Sequence, residues 1–235
     1  MAGNNICVIP ARGGSKRIIN KNIKDFCGKP MIAHSITMAK RTGLFKDIIV
    51  STDSNAIAKL SKDYGANVPF IRPAKLGNDF VSTGAVMAHA ARWLCDNLKE
   101  LSSVCCVYAT APLINEDDLI RAYKIFKNNN WDYVFSASLF DYPIQRAFMK
   151  LEKGGIQMFS PHYFETRSQD LPEAYHDAGQ FYWGKTDAWL KNSMSFSINS
   201  TVVEIPSYRV LDIDTIEDWK RAELMYNILI TNGEI

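Results

Sequence analysis

The chain has 235 residues, of which 47% are hydrophobic and 22% charged, enough to bury a sizeable core in one α/β domain. A net charge of +2 with scattered basic residues excludes a general nucleic-acid or membrane-surface binder, so any anionic partner is small and bound locally. No apolar run approaches the ~18 residues needed to span a bilayer, and the first ten residues lack the basic-then-apolar layout of a signal peptide. The reading is a soluble, cytoplasmic protein.

Short apolar runs alternate with helical patterns along the first half of the chain. Ile6 to Ile9 precedes a helix over 30–42, Ile48 to Ser51 precedes one over 55–64, and Val68 to Ile71 precedes one over 83–98. Val104 to Tyr108, a helix over 116–128 and a strand over 133–138 continue the rhythm. Such alternation predicts a doubly wound, mostly parallel Rossmann-like sheet with ligands beyond the carboxyl ends of its strands. From about 139 to 177 the rhythm breaks into Pro, Gly, aromatic and charged residues around a Lys153-Gly154-Gly155 turn, which predicts an excursion from the sheet rather than a second domain. Strands return at 179–183 and 200–205, and Thr215 to Asp218 forms a capping box opening a helix over 216–230.

The strongest chemical signal follows the first strand directly: Arg12, Gly13, Gly14, Ser15, Lys16, Arg17, Lys21 and Asn22. Consecutive glycines let the backbone turn several N–H groups toward one anion, and four cationic side chains add fixed positive charge. That composition suits a triphosphate, although neither GxxxxGK[ST] nor GxGxxG is present. A merely solvated basic loop is the competing account. It is disfavoured because a doubly wound sheet places its ligand at this end.

Downstream, Asp212 and Asp214 flank Ile213 in a strand-like stretch, so alternation puts both carboxylates on one face. Such hard oxygen ligands suit Mg²⁺. Helix capping, the alternative for this pair, is already supplied by Thr215. Taken alone, Arg72 before Pro73 and Ser82 at a helix start are ordinary loop and capping residues. Gln145, Arg146, Gln180, Phe181 and Tyr182 combine amide, cationic and apolar groups, with core packing as one role of the aromatics. The five cysteines have no metal-ligand spacing and read as buried free thiols, and the four histidines form no constellation.

The segment Ala11-Arg12-Gly13-Gly14-Ser15-Lys16-Arg17 with Lys21 and Asn22 resembles the first signature of the CMP-sugar synthetases, the cytidylyltransferases that activate sialic acids. The likeness runs through Arg72-Pro73, Ser82, Tyr108 to Pro112, Asp177 to Trp183 and Leu211 to Thr215 in matching order. It implies that Arg12, Ser15, Lys21 and Asn22 contact CTP, with Ala11, Gly13, Gly14 and Lys16 completing the loop and Arg72 and Ser82 at the cytosine and ribose. It further implies that Asp212 and Asp214 hold Mg²⁺, that Lys21, Arg12 and Asp214 carry the catalysis, that Gln145, Arg146, Gln180, Phe181 and Tyr182 are candidates to meet an acidic acceptor sugar, and that the excursion pairs two subunits through aromatics such as Phe148, Phe159 and Tyr163.

Tyr108-Ala-Thr-Ala-Pro112, Tyr142-Pro-Ile-Gln-Arg146 and Asp177-Ala-Gly-Gln-Phe-Tyr-Trp183 resemble the pseudaminic acid branch of that family. An N-acetylneuraminate or other nonulosonate enzyme is the alternative within it. A regulatory nucleotide-binding protein without catalysis is the alternative outside it. The intact Lys21 and Asp212/Asp214 argue against the latter.

Overall fold

A computed structural model describes residues 4–235; residues 1–3, part of the stretch read for a leader, lie outside it. The chain runs β1 (Asn5–Pro10), β2 (Asp25–Phe26), β3 (Lys29–Pro30), α1 (Met31–Arg41), β4 (Asp47–Ser51), α2 (Asn55–Asp63), α3 (Thr83–Asn97) and β5 (Ser103–Val107). It continues with α4 (Glu116–Asn128), β6 (Tyr133–Leu139), β7 (Phe148–Lys150), β8 (Ile156–Met158), β9 (Tyr175–Gly184), α5 (Thr186–Lys191), β10 (Ser200–Glu204) and α6 (Ile216–Asn232). Among the described residues no helix is long and apolar enough to cross a membrane.

Six strands form the central sheet in the order β10-β6-β9-β5-β1-β4. β1 pairs parallel with β4 and β5, and β10 parallel with β6, whereas β9 enters antiparallel between β5 and β6. The sheet is therefore mostly parallel, as the βαβ rhythm predicts, with one reversed strand. Strand alternation sends Cys7, Ile9, Cys105 and Val107 to one face, where Ile32, Ile36, Ile57 and Leu119 of α1, α2 and α4 cover them. Ile6, Val8, Val104 and Cys106 go to the other, under Met87, Ala90 and Leu94 of α3 and Trp189 of α5. A third cluster of Ile18, Phe26, Met31, Ile213, Trp219 and Ala222 joins the loop after β1 to α6.

Several local expectations are corrected. Val68 to Ile71 is not a strand: only isolated bridges Ile49–Asn67 and Thr52–Ile71 form, because Pro69 has no N–H to offer a ladder. The final three residues of the expected excursion belong to β9, which begins at Tyr175. Within the excursion, β7 and β8 form a hairpin whose turn holds Gly154 and Gly155 at φ +89° and +87°, where the Lys153-Gly154-Gly155 signal lies. Cys7, Cys105 and Cys106 are buried thiols, but Cys27 is half-buried and Cys95 exposed. His34 is structural, its Nε2 lying 2.8 Å from the Phe26 carbonyl.

Candidate functional site

β1 ends at Pro10, and the chain turns over the carboxyl edge of the sheet into a loop packed between β4 and the segment before α6. Gly13 is held by its N–H, which donates to Asp53 Oδ1 at 2.8 Å. A Cβ there would stand 2.9 Å from the Ser54 Cβ, so only glycine lets the loop lie this close to the start of α2. Asn22 is buried, and its Nδ2 donates to the Arg12 carbonyl at 2.9 Å, closing the loop on itself.

This loop forms one wall of a cavity of about 320 Å³, within the range of small-molecule sites. Arg12, Ser15, Lys16, Lys21, Asn22, Arg72 and Asp214 of the predicted set line it, together with Arg17, Asp79, Val81, Thr83 and Tyr108. Its cations face carboxylates brought from two other segments. Arg12 pairs with Asp79, Lys16 lies 2.6 Å from the same carboxylate, Arg17 lies 2.8 Å from Asp214, and Lys21 lies 3.4 Å from it. Hydrogen bonds from Lys16 and then Arg12 hold the Asp79 carboxyl down at about 2.

Arg72 is buried at 4% exposure, 3.7 Å from Asp53, too long for a hydrogen bond. Its Nε and one Nη have no hydrogen-bond partner among the described residues. Burial lowers its pKa while Asp53 opposes that effect. Unpaired buried donors on a cavity wall are costly unless a ligand completes them.

Asp212 and Asp214 lie in an extended segment without strand pairing, and Ile213 between them is buried at 1% exposure. The expected strand is absent, yet the alternation survives because Ile213 anchors in the third cluster. Asp212 is exposed at the surface and, unlike Asp214, does not line the cavity; partial burial of its carboxyl first, and then the Asp214 carboxylate, raises its pKa. Two carboxylates are a hard-oxygen set that fits Mg²⁺ with substrate phosphates as further ligands. Among the described residues no cluster of three or more protein ligands occurs.

Other predicted residues stand apart from the cavity lining. Ala11 is buried and bonded through its N–H to the Ser51 carbonyl at 2.9 Å. Ser82 caps α3, accepting from the Ala85 N–H at 3.2 Å, while its neighbours Val81 and Thr83 face the cavity. Gln145 donates to the Pro172 carbonyl at 2.9 Å and Arg146 to that of Thr166, both inside the excursion.

Phe181 is fully buried in the core beside Trp183, which corrects its assignment to a sugar wall. Tyr182, at 7% exposure, stacks on Phe135 at 4.8 Å and donates to Asp177 Oδ2 at 2.5 Å. Burial and then that bond push its phenol far above the usual range. Gln180, at 3% exposure, donates to the Arg209 carbonyl at 2.7 Å. Aromatics on a buried strand look the same in sequence whether they line a pocket or fill a core. Asp53 and Asp79 were missed because their partners lie far away in the chain, Arg12 being 67 residues from Asp79.

A cytidylyltransferase family model matches residues 6–175. The chain is 45% identical to the pseudaminic acid cytidylyltransferase of Campylobacter jejuni, over 95% of this chain and 97% of that one. It is 32% identical to the CMP-N,N'-diacetyllegionaminic acid synthase of the same species, over 95% of each. In three dimensions it superposes with a TM-score of 0.73 and 15% identity on a CMP:2-keto-3-deoxy-manno-octonic acid synthetase complexed with CTP, covering 99% of this chain and all of that one. The mostly parallel sheet with flanking helices is thus the fold of that synthetase.

Proposed function

The chain belongs to the cytidylyltransferase family, and from that premise we propose that it transfers CMP from CTP to the anomeric hydroxyl of pseudaminic acid, releasing pyrophosphate. The observation that carries this reading is the 45% identity to the Campylobacter jejuni pseudaminic acid enzyme across nearly the whole of both chains. The reading treats all 235 residues as one nucleotidyltransferase domain. A cytoplasmic location belongs to the same reading, since its donor substrate CTP is a cytoplasmic metabolite.

The cavity suggests how the chain would work. The triphosphate takes the place of carboxylates at the cations: its oxygens replace Asp79 at Arg12 and Lys16. Arg72 offers its unpaired donors to the nucleoside end, and Tyr108 and Val81 supply apolar wall. The anomeric oxygen attacks the α-phosphorus in line, the bond to the β-phosphate oxygen breaks to release pyrophosphate, and the hydroxyl proton passes to solvent. Lys21, tethered by the Ile213 carbonyl at 2.6 Å, stands beside the reacting phosphate with little freedom to move away. Asp212 and Asp214 would hold Mg²⁺, which when bound neutralises charge on the phosphate oxygens.

For the acceptor, Gln145, Arg146 and Tyr182 remain the sequence candidates, and the Tyr182 ring centroid lies 6.3 Å from that of Tyr108 on the cavity wall. The excursion exposes Phe148 at 59% and Phe159 at 63%, with Tyr163 half-buried beside them. Exposed apolar groups this concentrated support pairing of two subunits there. Pyrophosphate release on mixing the protein with CTP, Mg²⁺ and a panel of nonulosonic acids tests the function directly.

A further inference from the structure

The Asp212/Asp214 segment has no regular structure of its own, so the positions of its carboxylates depend on what pins its two ends. At the near end, Lys21 donates to the Ile213 carbonyl at 2.6 Å, and the Asp214 N–H donates to Asp218 Oδ2 at 3.2 Å within the cap of α6. The far end is held from inside the protein. Gln180 Nε2 donates to the Arg209 carbonyl at 2.7 Å, and the Arg209 guanidinium donates to Asp118 Oδ2 at 2.5 Å. All three are buried, at 3%, 8% and 4% exposure.

Gln180 is itself fixed through its backbone. It sits at the irregularity where β9 slips against β6, and its N–H and that of Phe181 both donate to Ser136 Oγ, at 3.3 and 3.2 Å. Its carbonyl accepts the N–H of Tyr108, a cavity residue, at 2.9 Å. One residue therefore ties the cavity wall, through its backbone, to the carboxylate segment, through its side chain. A hydrocarbon side chain of this size would fill the space without burying an amide whose Oε1 has no partner among the described residues. A buried ion pair such as Arg209–Asp118 likewise fixes geometry better than it stabilises a fold.

We infer that Gln180, backed by the buried Arg209–Asp118 pair, is a positioning residue that sets where Asp212 and Asp214 meet the metal, and that it does not touch the sugar. The inference rests on the reading that these two carboxylates hold the metal.

Its test is calorimetric titration of the whole protein with CTP in Mn²⁺ and in chelator, the ratio of the two affinities reporting the metal's contribution. Residues that orient metal ligands typically change metal affinity by about 10–100-fold when altered. Gln180→Met, close in size but without the donor, is expected to lower the ratio about tenfold or more. Its metal-free CTP affinity is expected to move by less than about twofold, since the nucleotide contacts are elsewhere. Asp118→Asn is expected to lower the ratio in the same direction, and either variant decides if the other fails to fold.

A ratio that collapses in Asp214→Ala but is unchanged in Gln180→Met and Asp118→Asn overturns the inference alone. So does a Gln180→Met protein with a normal ratio and a sugar KM raised about tenfold or more. An unchanged ratio in Asp214→Ala overturns the metal reading and the inference with it.

Discussion

The Lys21 ammonium lies 3.4 Å from the Asp214 carboxylate although the two residues are 193 positions apart, joining the loop after β1 to the segment before α6. The pair sets a cation and an anion side by side at one cavity, and each has a separable role.

Lys21→Ala and Arg12→Ala are each expected to lower kcat by about 10²-fold or more at saturating CTP, because fixed charge at a phosphoryl centre is worth several kcal/mol in the transition state. Circular dichroism should report an intact fold, since neither side chain belongs to the apolar core clusters. Near wild-type turnover in both variants would remove the loop from the chemistry.

Asp214→Ala is expected to lose the Mg²⁺ dependence of the rate while keeping or tightening metal-free CTP binding, since Arg17 and Lys21 are released toward the phosphates. Rates measured against Mg²⁺ concentration, beside calorimetry in chelator, decide this. An unaltered Mg²⁺ profile in both Asp214→Ala and Asp212→Ala would place the metal elsewhere.

Asp79 pairs with Arg12 and Lys16, and if those cations take the nucleotide, as proposed, it is expected to compete with the substrate. Exposed ion pairs are weak, and Asp79→Asn is accordingly expected to lower the KM for CTP by only about two- to fivefold. The sign of the pH dependence follows from its depressed pKa. The pairing is present above the unfolded-state value and is lost only as pH falls through about 2. The KM ratio of variant to wild type should therefore be constant between about pH 5 and 8; a higher KM in the variant would contradict the competition.

Much of the fold was legible because βαβ periodicity is local: the helix over 116–128 and the cap at Thr215 stand where the sequence puts them. The reversal of β9 was not, since its direction depends on how the excursion from 139 to 177 returns the chain to the sheet, and that stretch has no period. The basic loop was legible for the same local reason. Asp53, Asp79 and the burial of Phe181 were not, since each depends on contacts between distant segments.

The excursion is expected to bury its apolar surface against a second copy. Light scattering should give twice the chain's 26.5 kDa at micromolar protein, and Phe148→Glu with Phe159→Glu should shift the mass toward one chain. A monomer in the unaltered protein would refute the pairing.

The central claim concerns which sugar accepts CMP, and the most direct measurement is kcat/KM for pyrophosphate release with pseudaminic acid and with N-acetylneuraminate under the same conditions. Pseudaminic acid carries a second acylamino group and a methyl at C9. A methyl contact alone discriminates about 10–200-fold, and buried polar groups left unpaired by the wrong sugar add to that. The account predicts a preference for pseudaminic acid of at least about 10²-fold; equal efficiency, or a preference for N-acetylneuraminate, would contradict it.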